Sequence, residues 1–207
     1  ILLFAPVAYA TNLSDLKNEI KNAIQNISIE ETKIVYDAIR LASPGGLGKS
    51  SQADINETPT CTLLEAMKIA ADRDLIANQY ANGYNTIFND AIPTFGGALE
   101  QFGCMEGAII FTHIYLMAKY PDSLILRKCG PKESLESSER AKKVLEKQWP
   151  LKQAGWIEFK ELDQWLRSEN NKRNPGATAD LIAATLLVAL RLGQISLPLA
   201  FNWSDGM

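Results

Sequence analysis

Apolar residues recur at intervals of three and four along nearly the whole chain, and this spacing limits the fold more than any other feature. In the segment 13–27, for example, Leu16, Ile20 and Ile24 fall on one helical face. A convincing alternation of apolar and polar residues, which is typical of strands, is not found. We therefore predict an all-α protein, a multi-helix bundle that forms a single domain over residues 1–207.

Capping residues and helix breakers set the expected limits of the helices. Ser28 and Glu31 have the spacing of a capping box, which starts a helix that the breaker at Pro44 must end. The other helices are predicted over 13–27, 58–88 with a bend at Gly83, 99–120 unless Gly103 divides it, 134–149, 155–166 and 180–192.

The composition excludes several classes of function. The net charge of −3 leaves no global basic field that would attract nucleic acid. Three cysteines without paired spacing argue against a disulfide framework and against a zinc site, and they favour a cytoplasmic location. The longest uncharged apolar run, 107–118, is shorter than the roughly 20 residues that cross a bilayer, so no membrane partner is expected.

The segment 174–180, Asn-Pro-Gly-Ala-Thr-Ala-Asp, leads directly into an apolar helix. Pro175 and Gly176 break the preceding chain, Thr178 can cap the helix, and Asp180 is predicted in its first turn. Backbone N–H groups at such a helix start attract anions. The carboxylate there either complements the helix dipole or holds a metal that in turn binds phosphate.

A second segment, 121–128, places one carboxylate and two cations close together after an apolar helix. Arg127 suits bidentate contacts with phosphate and Lys128 supplies a point charge, about one helical turn beyond Asp122. The alternative is a surface cluster of salt bridges. With the segment 174–180, these residues predict a site for a polyanionic substrate.

Residues 43–50, Ser-Pro-Gly-Gly-Leu-Gly-Lys-Ser, are rich in glycine but lack the spacing of a phosphate-binding P-loop. Gly45 and Gly46 are candidates for a loop that lines a ligand pocket. The alternative is a simple turn between two helices.

Glu65 and Asp72 are seven residues apart in a predicted helix and are expected to share one face. Two carboxylates on one face can bind Mg²⁺ beside phosphates. They can also form a solvated face on which Lys68 is the ionic partner.

His113 is the only histidine, and it lies among apolar residues. We expect a buried, hydrogen-bonded side chain rather than a catalytic one. Without a second histidine, a zinc site is not expected.

Taken in order, Ser43-Pro-Gly-Gly, Asp122-Ser-x-x-x-Arg-Lys-x-Gly130 and Asn174-Pro-Gly-Ala-Thr-Ala-Asp-Leu181 resemble the triphosphoribosyl-dephospho-CoA synthase family. The third segment is the most specific, and the similarity spans residues 1 to about 192. The resemblance also implies that the family's N-terminal region, with its Lys-Pro-Gly motif, is missing from this chain.

Residues 1–10 imitate the end of a signal peptide, but no Met and no basic region precede them. We expect them to begin inside a buried helix.

The resemblance implies an enzyme that transfers the triphosphoribosyl group of ATP to the 2′-hydroxyl of 3′-dephospho-CoA and releases adenine. It assigns phosphate binding to Arg127 and Lys128, and Mg²⁺ binding or base duty to Asp122 and Asp180. Asn174, Gly176 and Thr178 would contribute hydrogen bonds to the substrate at the helix start. The family's reaction serves the biosynthesis of a prosthetic group.

Two other functions stay open at this point. A relative of the family could transfer a ribosyl or nucleotide unit to another acceptor, for example in the synthesis of a pterin-type cofactor. A non-catalytic helical module that keeps only the family's fold is the second alternative. A shortened family member would expose apolar surface, which is compatible with a homo-oligomer.

Overall fold

The computed structural model describes residues 2–42, 50–199 and 201. Over these residues it contains eleven α-helices and no strand, so the all-α prediction is confirmed. The helices are α1 (Phe4–Tyr9), α2 (Leu16–Gln25), α3 (Ile29–Ala42), α4 (Leu63–Ala70), α5 (Leu75–Asn82), α6 (Ile92–Phe102), α7 (Met105–Lys119), α8 (Ser123–Cys129), α9 (Pro131–Glu146), α10 (Gln153–Asn171) and α11 (Gly176–Arg191). A 3-10 turn (Leu13–Asp15) precedes α2, and a π-helical turn (Ile87–Ala91) precedes α6.

The helices fall into two compact units, residues 1–86 and residues 87–207. The single-domain organisation stays a prediction. None of the helices in the described part of the chain is both long and apolar enough to cross a membrane.

In the first unit, two tyrosines tie the start of the chain to the region of α5. The hydroxyl of Tyr80 donates to the carbonyl oxygen of Leu2 at 2.8 Å, and that of Tyr84 donates to Leu3 at 3.0 Å. Burial raises the pKa of both hydroxyls, so they stay protonated and keep donating. These bonds hold α1 in place, while α2 packs its buried leucine and isoleucines against it.

The long helix predicted over 58–88 is wrong, because a second cap interrupts it. The side chain of Asp74 accepts hydrogen bonds from the backbone N–H groups of Ile76 at 2.8 Å and Ala77 at 3.0 Å, so a new helix starts there. Gly83 ends α5 with a φ of +66°, which glycine adopts without steric cost. The predicted bend is therefore a helix end.

In the second unit, α7, α9 and α10 enclose an apolar core. Its buried members are Ile114, Met117, Ala118, Ala141, Val144, Trp149 and Leu162. Gly103, with a φ of +65°, divides the helix predicted over 99–120 into α6 and α7. The helices predicted over 134–149, 155–166 and 180–192 correspond to α9, α10 and α11 with different limits.

Candidate functional site

Asp122 lies at the start of α8 and is fully buried. Its Oδ1 accepts hydrogen bonds from the backbone N–H groups of Leu124 at 2.8 Å and Ile125 at 3.0 Å. These two groups belong to the first turn of α8, where the helix itself offers no acceptor. Asp122 is thus the N-cap of α8.

The second oxygen of the same carboxylate joins α8 to α11. Oδ2 of Asp122 accepts from the backbone N–H of Thr178 at 2.7 Å and from its hydroxyl at 2.8 Å. We call Asp122, Leu124, Ile125 and Thr178 the capping node. The node directly joins two of the segments that the sequence singles out. A carboxylate offers about four acceptor positions, and these four bonds use them.

The start of α11 differs from the prediction in two ways. The helix begins at Gly176, so Asp180 lies in its second turn rather than its first. Thr178 is inside the helix and bonds to Asp122 instead of acting as a cap. An added Cβ at Gly176 would lie 2.5 Å from Cδ2 of Leu124, so glycine lets the helix start approach α8 closely.

Two further contacts connect the end of α8 and the start of α9 to residues 172–173, which lead into α11. The Sγ of Cys129, the last residue of α8, lies 3.5 Å from the carbonyl oxygen of Lys172. Glu133, in the first turn of α9, pairs with Arg173. Together with the capping node, these contacts place α8 antiparallel to residues 172–178.

The other predicted site residues of this unit lie within these two segments. Arg127 is half-buried and Lys128 is exposed, both in the last turn of α8, where cations complement the helix dipole. Arg127 lies about 7.5 Å along the helix axis from Asp122, since each residue advances the helix about 1.5 Å. Asn174 and Asp180 are exposed. Two cations and an exposed carboxylate therefore belong to the two segments that the capping node joins.

His113 on α7 is half-buried. Burial lowers its pKa to about 4, although the negative charge of Asp122 acts in the opposite direction. The imidazole is therefore neutral at pH 7. A neutral imidazole does not favour proton transfer near neutral pH, and the predicted hydrogen bond of His113 stays a prediction.

Sequence reasoning missed a cluster that adjoins Asp122 in the chain. Asp90, in the π-helical turn, accepts hydrogen bonds from Lys119 and from the hydroxyl of Tyr120, the latter at 2.6 Å. Burial raises the pKa of Asp90, but these two hydrogen bonds outweigh it and leave the pKa lowered. The cluster fixes the chain two residues before Asp122. Only the fold brings Asp90 to this place, so no local pattern could reveal it.

The second predicted pair of carboxylates is not on one helical face. Glu65 lies in the first turn of α4, where its carboxylate accepts from the N–H of Thr62 at 2.8 Å. In return, the hydroxyl oxygen of Thr62 accepts from the N–H of Glu65 at 3.3 Å. Asp72 follows the end of α4 and lies 3.6 Å from Arg73. The prediction that Glu65 and Asp72 share one helical face is wrong, because α4 ends at Ala70. Metal binding by either residue stays a prediction.

The described residues contain no group of three or more His, Cys, Asp or Glu side chains that could hold a metal ion. Gly45 and Gly46 lie outside the described residues. Asp122 does not fit Mg²⁺ in this structure, because N–H and O–H donors already occupy its oxygens. The carboxylate of Asp180 is exposed, and Mg²⁺ often takes only one or two carboxylates beside substrate phosphates.

Comparison with known proteins identifies a family and a solved structure of similar fold. Residues 1–196 match the model of the family described as ATP:dephospho-CoA triphosphoribosyl transferase. A crystal structure from Archaeoglobus fulgidus, of a protein provisionally named triphosphoribosyl-dephospho-CoA synthase, is similar with a TM-score of 0.69 and 24% identity. The similarity covers 93% of this chain and 81% of that one, and it shows a shared fold. No curated protein matches the chain.

Proposed function

The chain belongs to the ATP:dephospho-CoA triphosphoribosyl transferase family, and we propose that it transfers the triphosphoribosyl group of ATP to the 2′-hydroxyl of 3′-dephospho-CoA. Family membership makes the chain a transferase. The observation that supports the specific reaction is the capping node, whose hydrogen bonds join the Asp122–Lys128 and Asn174–Asp180 segments. These are two of the segments on which the resemblance to the family rests.

In the proposed reaction, the bond between C1′ of the ATP ribose and N9 of adenine breaks. A bond forms between C1′ and the 2′-oxygen of dephospho-CoA. The proton of that hydroxyl is lost and adenine leaves with a proton, so atoms and charge balance. Breaking this bond builds positive charge on the sugar, which nearby negative charge stabilises.

We assign the triphosphate to the cationic end of α8 and to the start of α11. Arg127 would bind phosphate oxygens through paired N–H groups, and the exposed Lys128 would add a point charge. Gly176 would let the anion approach the positive end of the dipole of α11, although its own N–H already donates to the carbonyl oxygen of Asn174 at 2.9 Å. Asn174 is exposed beside this helix start and would donate from its side-chain amide.

The proposal also includes Mg²⁺ bound together with ATP. Asp180 would hold the ion through its exposed carboxylate. When bound, Mg²⁺ neutralises part of the triphosphate charge. We give Asp122 a positioning role in place of the metal or base role that the resemblance implies, since its oxygens are used in the capping node.

Adenine release from Mg·ATP, with and without dephospho-CoA, tests the reaction. We expect adenine to form only with the acceptor, together with an equal amount of the coupled product. Adenine formed equally without the acceptor would indicate hydrolysis, and adenine formed with a different acceptor would indicate another cofactor pathway. A folded helical protein that releases no adenine would contradict the proposal.

Two substitutions test the assigned residues. We expect Arg127→Ala and Asp180→Ala to lower kcat/KM by at least about 100-fold, because each removes a charge that holds the triphosphate or its Mg²⁺. Arg167→Ala is the matched control, since Arg167 is exposed on α10 and pairs with Asp163 one turn away. Near-normal rates in the first two variants would contradict the assignment.

A further inference from the structure

Arg173 is a buried arginine immediately before the proposed substrate-binding segment. Its side chain is only 6% exposed, and its guanidinium is bonded through each of its nitrogens. Nε donates to Glu133, Nη1 donates to the hydroxyl of Ser168 at 2.9 Å, and Nη2 donates to Glu169. The Cζ atom of Arg173 lies over the Trp165 ring, 4.7 Å from its centroid, which is cation–π geometry. We call Arg173 and these four partners the Arg173 clamp.

The clamp holds the end of α10, where the right-handed helix is interrupted at Ser168 and the chain turns. Glu169, Asn170 and Asn171 have φ values of +53°, +59° and +57°, which place three consecutive residues in the left-handed region. Asparagine tolerates this region, but glutamate has no local means of offsetting a cost of about 1–2 kcal/mol. Arg173 binds the side chain of Glu169, the residue of this turn for which a left-handed backbone is least favourable.

The clamp is anchored outside its own segment through Glu133. That residue lies in the first turn of α9, three residues after Gly130, which caps the C-terminal end of α8. Arg173 lowers the pKa of the Glu133 carboxyl by hydrogen bonding, so the pair is ionised at neutral pH. The link thus runs from the chain before Asn174 to the cationic end of α8.

The geometry of these contacts assigns Arg173 to a specific task. We infer that Arg173 is a positioning residue that fixes Asn174 and Gly176 against α8, so that the helix start and the cations at Arg127 and Lys128 meet one triphosphate. This inference rests on the proposed function. The capping node holds the first turn of α11 through Thr178, and the Arg173 clamp holds the residues that precede α11.

Arg173→Lys and Glu133→Gln test the inference with little change in volume. Lysine keeps the charge but cannot bond to three groups at once or present a planar face to Trp165. Two quantities are measured in each variant. The first is hydrogen exchange of the backbone amides in residues 169–178, and the second is the kinetics of adenine release against the concentration of Mg·ATP. Arg167→Ala, on the exposed face of α10, is the matched control.

We expect faster exchange in residues 169–178 in both variants and unchanged exchange in α7. We also expect a rise in the KM for Mg·ATP on the order of tenfold with kcat changed by less than about threefold, because a misplaced segment weakens binding of the ground state and the transition state alike. Arg173→Lys should be less impaired than Arg173→Gln, which loses the charge as well. The control should match the wild type in both measurements.

Other results would overturn the inference. Unchanged exchange in residues 169–178 would show that the clamp does not hold the turn. A lower kcat at unchanged KM would show a loss of folded protein, and hence a structural role alone. Wild-type protein that releases no adenine would refute the proposed function, whereas an active wild type with unaffected Arg173 variants would refute only the role of Arg173.

Discussion

At the scale of single residues, the buried carboxylate of Asp122 accepts four hydrogen bonds. Asp122→Ala leaves the buried donors of Leu124, Ile125 and Thr178 without their acceptor. Each unsatisfied buried group costs about 1–3 kcal/mol, so we expect a loss of at least about 3 kcal/mol in the free energy of unfolding. Urea unfolding measures this loss.

Asp122→Asn and Thr178→Val separate the two sides of the capping node. In the asparagine variant one acceptor oxygen becomes an NH₂ group, which would face either the donors of α8 or the N–H of Thr178. We expect it to be nearly as destabilised as the alanine variant, and Thr178→Val to lose only about 1–2 kcal/mol. A fully stable Asp122→Ala protein without activity would contradict this and favour a direct catalytic role.

His113 predicts a dependence of stability on pH. Its pKa is about 4 in the folded protein, whereas the pKa of an exposed histidine side chain is 6.5, so the unfolded state binds more protons between these values. The free energy of unfolding must then fall as the pH drops from 6.5 towards 4, by about 2 kcal/mol between pH 7.5 and pH 5. Unfolding of the wild type and of His113→Gln at these two pH values measures the difference.

The lower limit of pH 5 separates His113 from the acidic side chains. Glu133 and Glu169 have lowered pKa values because of their hydrogen bonds with Arg173 and Lys172, so their contribution is present above about 4.5 and is lost only in more acidic solution. His113→Gln should therefore lose less stability than the wild type over this interval. Equal losses in the two proteins would show that His113 does not titrate as described.

At the scale of helices, we expect Gly155→Ala and Gly97→Ala to have opposite effects on the free energy of unfolding. A Cβ at Gly155 in α10 would lie 2.4 Å from the backbone nitrogen and 2.6 Å from the Cα of Trp149. Backbone atoms cannot move aside as a side chain can, so we expect Gly155→Ala to lose more than about 2 kcal/mol. Among the described residues, and apart from the adjoining backbone of α6 itself, no heavy atom lies within 4 Å of a Cβ placed at Gly97.

Gly97→Ala is accordingly the matched control, and we expect it to be neutral or up to about 1 kcal/mol more stable. Thermal unfolding of both variants compares them directly. Two variants of equal stability would mean that α10 shifts away from Trp149 at little cost.

Local signals explain which helix limits the sequence could predict. The capping box at Ser28 and Glu31 is confirmed, with the Ser28 N–H donating to Glu31 at 2.8 Å, because all of its atoms lie within one turn. The break after Ala70 was missed because apolar spacing continues through it, and the cap at Asp74 competes with that spacing. Periodicity predicts that a segment is helical more reliably than where the helix ends.

The sequence could predict which segments form the candidate site, but not the hydrogen bonds that join them. The motifs around Asp122 and Thr178 indicated that both segments matter, yet these residues are 56 positions apart. Sequence spacing cannot show that one carboxylate serves both helices and has no acceptor left for a metal. The Arg173 clamp was missed for the same reason, since Glu133 is 40 positions from Arg173.

At the scale of the whole molecule, the placement of tryptophan allows a test of the predicted single domain. Trp149, Trp156 and Trp165 lie in the described part of the second unit and residues 1–86 contain no tryptophan, so tryptophan fluorescence follows the second unit. Tyr84→Phe alters the first unit, where it removes the buried hydrogen bond to the carbonyl oxygen of Leu3. We expect it to lower the free energy of unfolding by about 1–3 kcal/mol, because that carbonyl loses its donor.

If residues 1–207 unfold as one cooperative domain, this loss must appear equally in tryptophan fluorescence and in far-UV circular dichroism. A shift of about 2–4 °C per kcal/mol in the melting temperature is expected for a chain of this length, and it should be the same by both signals. His113→Gln, in the second unit, provides the converse case at pH 5. A circular dichroism transition that moves in Tyr84→Phe while the fluorescence transition stays in place would contradict the single domain. It would show instead that residues 1–86 unfold independently.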